Sequence, residues 1–82
     1  HMDYSGLPEL LRDGMQRYIE NRIRTGSFLE CVLKNDLFGA LGKADDLNRY
    51  RLFEICSWIY NNAPAECYGS AEKVERWIAG RG

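Results

Sequence analysis

The chain has 82 residues, of which 45% are hydrophobic and 28% charged, and its net charge is −1. This length permits one hydrophobic core, and the hydrophobic content excludes a disordered chain. The near-neutral charge argues against binding of duplex nucleic acid through phosphate neutralisation. We therefore expect a single domain over residues 1–82 that is cytoplasmic, has no membrane segment and forms a homo-oligomer. His1 before Met2 is interpreted as the remnant of a tag.

Apolar residues recur every three or four positions in four segments, which is the spacing of amphipathic helices. The sequence therefore predicts an all-α bundle with helices at about 8–21, 28–41, 46–62 and 71–79. The third segment is apolar on nearly every face over its second half, so it is predicted to be the central, buried helix. Gly14 interrupts the first helix, which predicts a close helix crossing at that point.

Helix start signals precede the later segments. Ser27 and Glu30 match the Ser-x-x-Glu capping box, in which each side chain satisfies a backbone N–H of the first turn. Ser70 is placed to cap the last helix in the same way, and Gly80 to close it.

Acidic residues cluster around the turn between the second and third predicted helices. Asp45 or Asp46 is predicted to cap the third helix. Asn35 and Asp36 could also meet them across the turn and form an oxygen-ligand site for magnesium or calcium. Capping is the favoured interpretation, and no metal or cofactor is expected.

Catalytic groups are scarce. The only histidine is His1, so triads and Cys–His pairs are excluded and no enzyme is expected. Cys31 and Cys56 lie on apolar helix faces and are predicted to be packed. Cys67 falls in a predicted loop and is the one thiol that merits a test of reactivity, although an unreactive loop residue is the favoured interpretation.

Two Gly-Ser pairs, Gly26-Ser27 and Gly69-Ser70, open predicted helices, where backbone N–H groups and the positive end of the helix dipole attract anions. Arginines flank the first pair and tyrosines lie near both. Ordinary capping is the more frequent use of such pairs. The predicted ligand-binding residues are Tyr18, Arg22, Arg24, Thr25, Gly26, Ser27, Tyr68 and Ser70.

A further pattern spans roughly residues 15–77. Its elements are Tyr18-Ile19, Gly26-Ser27-Phe28-Leu29, Val32-Leu33, Asn35-Asp36-Leu37, Ala44-Asp45 with Asn48, Trp58 with Tyr60-Asn61, Pro64, and Cys67 with Gly69-Ser70. This pattern resembles a group of short proteins encoded by tailed phages and prophages, although Thr25 stands where that group has proline. The resemblance implies an accessory phage protein of the kind that blocks host defence in the host cell cytosol.

Three classes of function remain open. The leading hypothesis is a non-catalytic phage binding protein that inhibits host defence by binding a host protein or by sequestering a small anionic nucleotide. The second is a helical nucleic-acid-binding protein, because Arg49 and Arg51 begin a helix that follows a short turn. The third is an enzyme that uses the carboxylates of Asp36, Asp45 and Asp46.

Overall fold

The computed structural model describes residues 2–80, and its regular secondary structure is entirely helical. The prediction of an all-α fold is confirmed. The first and last predicted helices are also confirmed to within one residue, whereas the two middle ones are each divided. The elements are α1 (Glu9–Asn21), α2 (Ser27–Leu33), α3 (Leu37–Lys43), α4 (Asp46–Tyr50), α5 (Leu52–Asn62), a 3-10 helix (Ala65–Cys67) and α6 (Ala71–Ala79).

The second predicted helix is divided into α2 and α3 by Asn35, which has a φ of 64°. The N–H of Asn35 donates to the carbonyl of Val32 at 3.0 Å, and the N–H of Asp36 donates to the carbonyl of Cys31 at 2.8 Å. These two bonds form a Schellman motif, in which a residue in the left-handed region ends a helix. Asp36 then caps α3 by accepting a 2.9 Å bond from the N–H of Gly39.

The third predicted helix is divided at Arg51 into α4 and α5. Ile55 and Trp58 of α5 face the core, but Phe53 and Tyr60 are 82% and 76% exposed. The prediction that this helix is central and buried is therefore wrong. Apolar residues also lie on the opposite face of α5, and no other part of the described chain covers that face.

The core is organised around Tyr18 of α1, whose side chain is fully buried. Its hydroxyl donates a 2.6 Å hydrogen bond to the carbonyl of Cys67, and its own carbonyl accepts a 2.9 Å bond from the indole N–H of Trp77. These bonds join α1 to the 3-10 helix and to α6. The other fully buried hydrophobic residues of the core are Leu7, Met15, Leu33, Ala40, Ile55, Cys67 and Val74.

The segment before α1 covers Trp58 of α5. The Tyr4 ring lies 5.2 Å from the Trp58 ring between centroids, and the Trp58 indole N–H donates to the carbonyl of Asp3 at 3.0 Å. A Cβ on Gly6 would lie only 2.8 Å from Cδ1 of Trp58. The inward face of α5 is thus closed off at this end of the molecule.

Candidate functional site

The loop between α1 and α2 carries the arginines of the predicted anion-binding surface. Arg22 ends α1 in the left-handed conformation, with a φ of 58°. Its guanidinium carbon lies 3.7 Å from the centroid of the Trp77 ring, and its Nη1 donates to the Trp77 carbonyl at 3.1 Å. Arg22 is therefore held flat against α6 by a cation–π contact and a hydrogen bond.

Arg24 belongs to a network of four charges, which we call the four-charge network. Arg24 contacts Glu30 at 2.9 Å and Glu75 at 2.6 Å, and Lys34 contacts the same two carboxylates at 2.6 and 3.1 Å. These hydrogen bonds lower the pKa of Glu75 to about 2 and lower that of Glu30, chiefly through Arg24 and Lys34 respectively. Two carboxylates thus balance the two cations, and Arg24 contributes little net charge to this surface.

The predicted capping box at the start of α2 is not formed. Gly26 is the N-cap residue, and no side chain caps the helix. Ser27 is the first helical residue, while the carboxylate of Glu30 is engaged in the four-charge network. Thr25 donates its hydroxyl to the carbonyl of Gly26 at 3.2 Å. The pattern identified a helix start but not the way in which that start is satisfied.

The remaining predicted site residues lie in different surroundings. Tyr18 is buried and its hydroxyl is already bonded, so it offers no surface to a ligand. Ser70 accepts a 3.1 Å bond from the N–H of Lys73, which confirms that it caps α6. Tyr68 is half-buried and lines a separate cavity. The predicted residues therefore do not surround one pocket.

An open cavity of about 530 Å³, which we call the Trp77 cleft, lies between the end of α1 and α6. Three of its charged lining residues are basic and one is acidic. Lys73 donates to the carbonyl of Ala65 at 3.3 Å, and Arg76 pairs with Glu72 at 3.0 Å. The cleft is lined by Arg22, Ala65, Glu66, Lys73, Arg76 and Trp77. Arg22 is one of the predicted ligand-binding residues, whereas Arg76 and Trp77 are not, although Lys73 and Arg76 have the i, i+3 spacing of one helix face.

A second open cavity of about 530 Å³ lies between α1 and α2 and includes Gly26 and Ser27. Its charged lining residues are Arg17 and Asp13, one of each sign. Gly14 also lines it, and a Cβ on Gly14 would meet nothing within 4 Å. The predicted helix crossing at Gly14 is therefore wrong, because the glycine borders open space.

Exposed apolar side chains are concentrated in the stretch from residue 37 to residue 60, and we call the set of these side chains the apolar face. Eight large hydrophobic residues of the described chain are exposed, and six of them belong to this stretch. Leu10 and Ile23 are the other two. The apolar face consists of Leu37, Phe38, Leu47, Tyr50, Phe53 and Tyr60.

Two of the three cysteines lie in surroundings that differ from those predicted. Cys56, predicted to be packed, is exposed on α5, whereas Cys67 is fully buried. Burial raises the pKa of the Cys67 thiol to about 11, so it stays protonated at neutral pH. Cys31 is buried as predicted. Cys56 is the thiol that reagents in solution can reach.

The acidic residues of the turn act as caps. Asp36 caps α3, and Asp45 caps α4 by accepting a 2.7 Å bond from the N–H of Asn48. Of the two predicted caps, Asp45 and Asp46, the structure therefore has Asp45. Over residues 2–80, no three acidic, cysteine or histidine side chains come together as a metal site would need. In the same range, no helix has the length and apolar character needed to cross a membrane.

Comparison with known proteins finds no family model, curated protein or solved structure that matches this chain. The resemblance to short phage proteins therefore stays a prediction.

Proposed function

We propose that this chain is a non-catalytic binding protein that captures a small anionic ligand with a planar aromatic part, such as a nucleotide, in the Trp77 cleft. The observation that carries the proposal is the combination of three basic side chains and one indole ring around a single open cavity. Phosphate groups need fixed cations, and nucleobases need flat surfaces on which to stack.

The charge of the cleft favours an anion. Arg22, Lys73 and Arg76 face one carboxylate, that of Glu66. The pair between Arg76 and Glu72 is solvent-exposed, with 70% and 81% of the two side chains accessible. Exposed pairs of this kind contribute little free energy, so a phosphate can replace Glu72 as the partner of Arg76 at small cost.

The shape of the cleft favours a planar group. Arg22 is already fixed against Trp77, so little side-chain entropy is lost when a ligand contacts it. The guanidinium plane of Arg22, which lies over the Trp77 ring, can stack on a nucleobase. Arg24, by contrast, is engaged by Glu30 and Glu75, and we assign it no direct contact with the ligand.

The resemblance to tailed-phage proteins provides the biological setting of the proposal. In that setting the protein acts in the host cell cytosol and inhibits host defence by sequestering a nucleotide signal. Sequestration requires tight binding and no turnover, which agrees with a chain whose only histidine is His1.

A second candidate function is inhibition of a host defence protein by direct contact. The apolar face favours it, because exposed aromatic patches mark protein interfaces. Binding of nucleic acid through Arg49 and Arg51 has less support, since these residues pair with Asp46 at 3.9 Å and with Glu54 at 2.9 Å.

Thermal denaturation with a panel of linear and cyclic adenine and guanine nucleotides tests the proposal. A ligand at a hundredfold excess over its dissociation constant adds about 2.7 kcal/mol to the free energy of unfolding. We expect Arg76→Ala to weaken this stabilisation at least tenfold in ligand concentration, because it removes a cleft cation. Arg17→Ala is the matched control, since it removes a cation from the other large cavity and should leave binding unchanged.

Two results would contradict the assignment. If no nucleotide raises the melting temperature of the unmodified chain, the protein does not capture this class of ligand. Inhibition by contact with a host protein then becomes the leading proposal. If Arg17→Ala abolishes binding while Arg76→Ala does not, the ligand occupies the cavity between α1 and α2.

A further inference from the structure

The outward side of α5 carries a continuous apolar stripe. Phe53, Cys56 and Tyr60 follow the i, i+3, i+7 spacing that places side chains on one helix face. All three are exposed, Phe53 by 82% and Tyr60 by 76%. Such a stripe usually packs on a partner, yet none of the described elements covers it.

A groove runs beside this stripe, between α5 and the α2–α3 junction. Its larger part is a cavity of about 320 Å³ lined mainly by apolar and aromatic groups. A smaller cavity of about 50 Å³ continues towards Leu37 and Leu52, and both parts share Val32, Asn35 and Cys56. We call the whole feature the α5 groove. It is an apolar depression next to an apolar ridge, so the surface carries both halves of a knob-and-hole contact.

The exposed area is large enough for a stable interface. Four aromatic side chains of the apolar face are between 76% and 88% exposed. Each ring of this kind presents on the order of 150–200 Å², or about 600–800 Å² together. A standard interface buries about 800 Å² on each partner, so the summed area of these four rings is close to what one partner contributes. The four residues are Phe38, Tyr50, Phe53 and Tyr60.

The charges around the apolar face suit a second copy of the same chain. Residues 37–60 contain three basic and three acidic side chains, so this surface is neutral and two copies do not repel each other. Several of these charges are already paired within the chain, such as Arg51 with Glu54 at 2.9 Å. The six are Lys43, Asp45, Asp46, Arg49, Arg51 and Glu54. This stretch has no net charge to complement a strongly acidic or strongly basic partner.

We propose that two copies of this chain associate through their apolar faces, with the two α5 helices antiparallel about a twofold axis near Cys56. Phe53 precedes Cys56 by three residues and Ile59 follows it by three, about 4.5 Å along the helix in each direction. A twofold axis at Cys56 therefore places Phe53 of one copy opposite Ile59 of the other, which lines the α5 groove. Each copy inserts Phe53 into the groove of the other. This interface lies apart from the Trp77 cleft and does not depend on the proposed ligand.

The mass in solution tests this arrangement. Light scattering or sedimentation of the unmodified chain should give twice the chain mass of 9.5 kDa. Phe53→Glu should raise the dimer dissociation constant on the order of 1,000-fold, because a central anchor is lost twice in a symmetric contact. Leu10→Glu is the matched control, since Leu10 is 86% exposed on α1 and outside the apolar face. The control should remain dimeric, and circular dichroism should show both variants folded.

Cross-linking supplies a second measurement. Because Cys56 is exposed while Cys31 and Cys67 are buried, a short bismaleimide should link two copies through Cys56 alone. The cross-linked product should disappear in Cys56→Ser and in Phe53→Glu. A monomeric mass at every concentration overturns the proposal and leaves the apolar face to a foreign protein. A dimer that withstands Phe53→Glu but dissociates in Leu10→Glu also overturns it, because the contact then lies on α1.

Discussion

Tyr18 and Tyr60 carry the same side chain in opposite surroundings. Tyr18 is fully buried, and its hydroxyl bonds the Cys67 carbonyl at 2.6 Å, whereas Tyr60 is 76% exposed. Around α1 and α6, aromatic rings and their hydrogen bonds hold the helices together. Between residues 37 and 60, the comparable rings of Phe38, Tyr50 and Phe53 also face solvent. The apolar content of this short chain thus has two uses, since one part forms the core and the other forms a surface suited to association.

The largest difference in stability is expected between variants that lack the Tyr18 ring and variants that lack the Tyr60 ring. Tyr18→Ala should lower the free energy of unfolding by about 3–5 kcal/mol, because it leaves a cavity and an unpaired carbonyl on Cys67. Tyr60→Ala should change it by less than about 0.5 kcal/mol at concentrations where the chain is monomeric. Chemical denaturation measures both values. Similar losses in the two variants would show that Tyr60 also packs in the monomer.

Two glycines provide a finer test of the same contrast. Gly14→Ala should stabilise the chain by about 1 kcal/mol, since alanine favours the helix and its Cβ meets nothing within 4 Å. Gly6→Ala should destabilise it by about 1–3 kcal/mol, because the new Cβ would lie 2.8 Å from the Trp58 ring. Thermal melts of the two variants give the comparison. A destabilised Gly14→Ala variant would mean that another group fills the cavity between α1 and α2.

The smallest change in stability is expected when the pH is lowered. The pKa of Glu75 is about 2 in the folded chain, against an ordinary value of 4.5, so the unfolded chain binds more protons between these values. The contribution of Glu75 to stability is present above about pH 4.5 and is lost as the pH falls towards 2. Glu75→Gln should therefore make the fall in stability over this range shallower, and the difference should shrink in 1 M salt. Denaturation curves at a series of pH values measure it, and equal slopes in both proteins would contradict the role of the four-charge network.

Much of the fold was predictable from local signals. The bounds of α1 and α6 follow from apolar spacing, and the caps by Ser70 and Asp45 follow from residue type and position. The break at Asn35 was missed because apolar residues keep the same three-or-four spacing on both sides of it, from Val32 and Leu33 to Leu37 and Ala40. The Asn-Asp pair was the available signal, since asparagine tolerates the left-handed region and aspartate caps helices.

The errors elsewhere have other physical causes. A helix that is apolar on nearly all sides has the same sequence pattern whether it is buried or has one face uncovered. For this reason α5 was wrongly predicted to be buried. The role of Arg24 depends on Glu75, which lies 51 residues further along the chain, and no local pattern reveals that pairing. The Trp77 cleft likewise forms only when α6 packs against the end of α1. Local sequence signals identified individual anion-binding groups, but tertiary contacts decide which of them share a cavity.

The contact between Arg22 and Trp77 has an optical consequence. An indole with a guanidinium 3.7 Å above its ring has an emission that depends on the field of that charge. An anion bound in the cleft alters this field, while Trp58, 7% exposed beneath the first residues of the chain, is shielded from it. Occupancy of the cleft is therefore readable from the fluorescence of the unlabelled protein, with Trp58 as an internal reference.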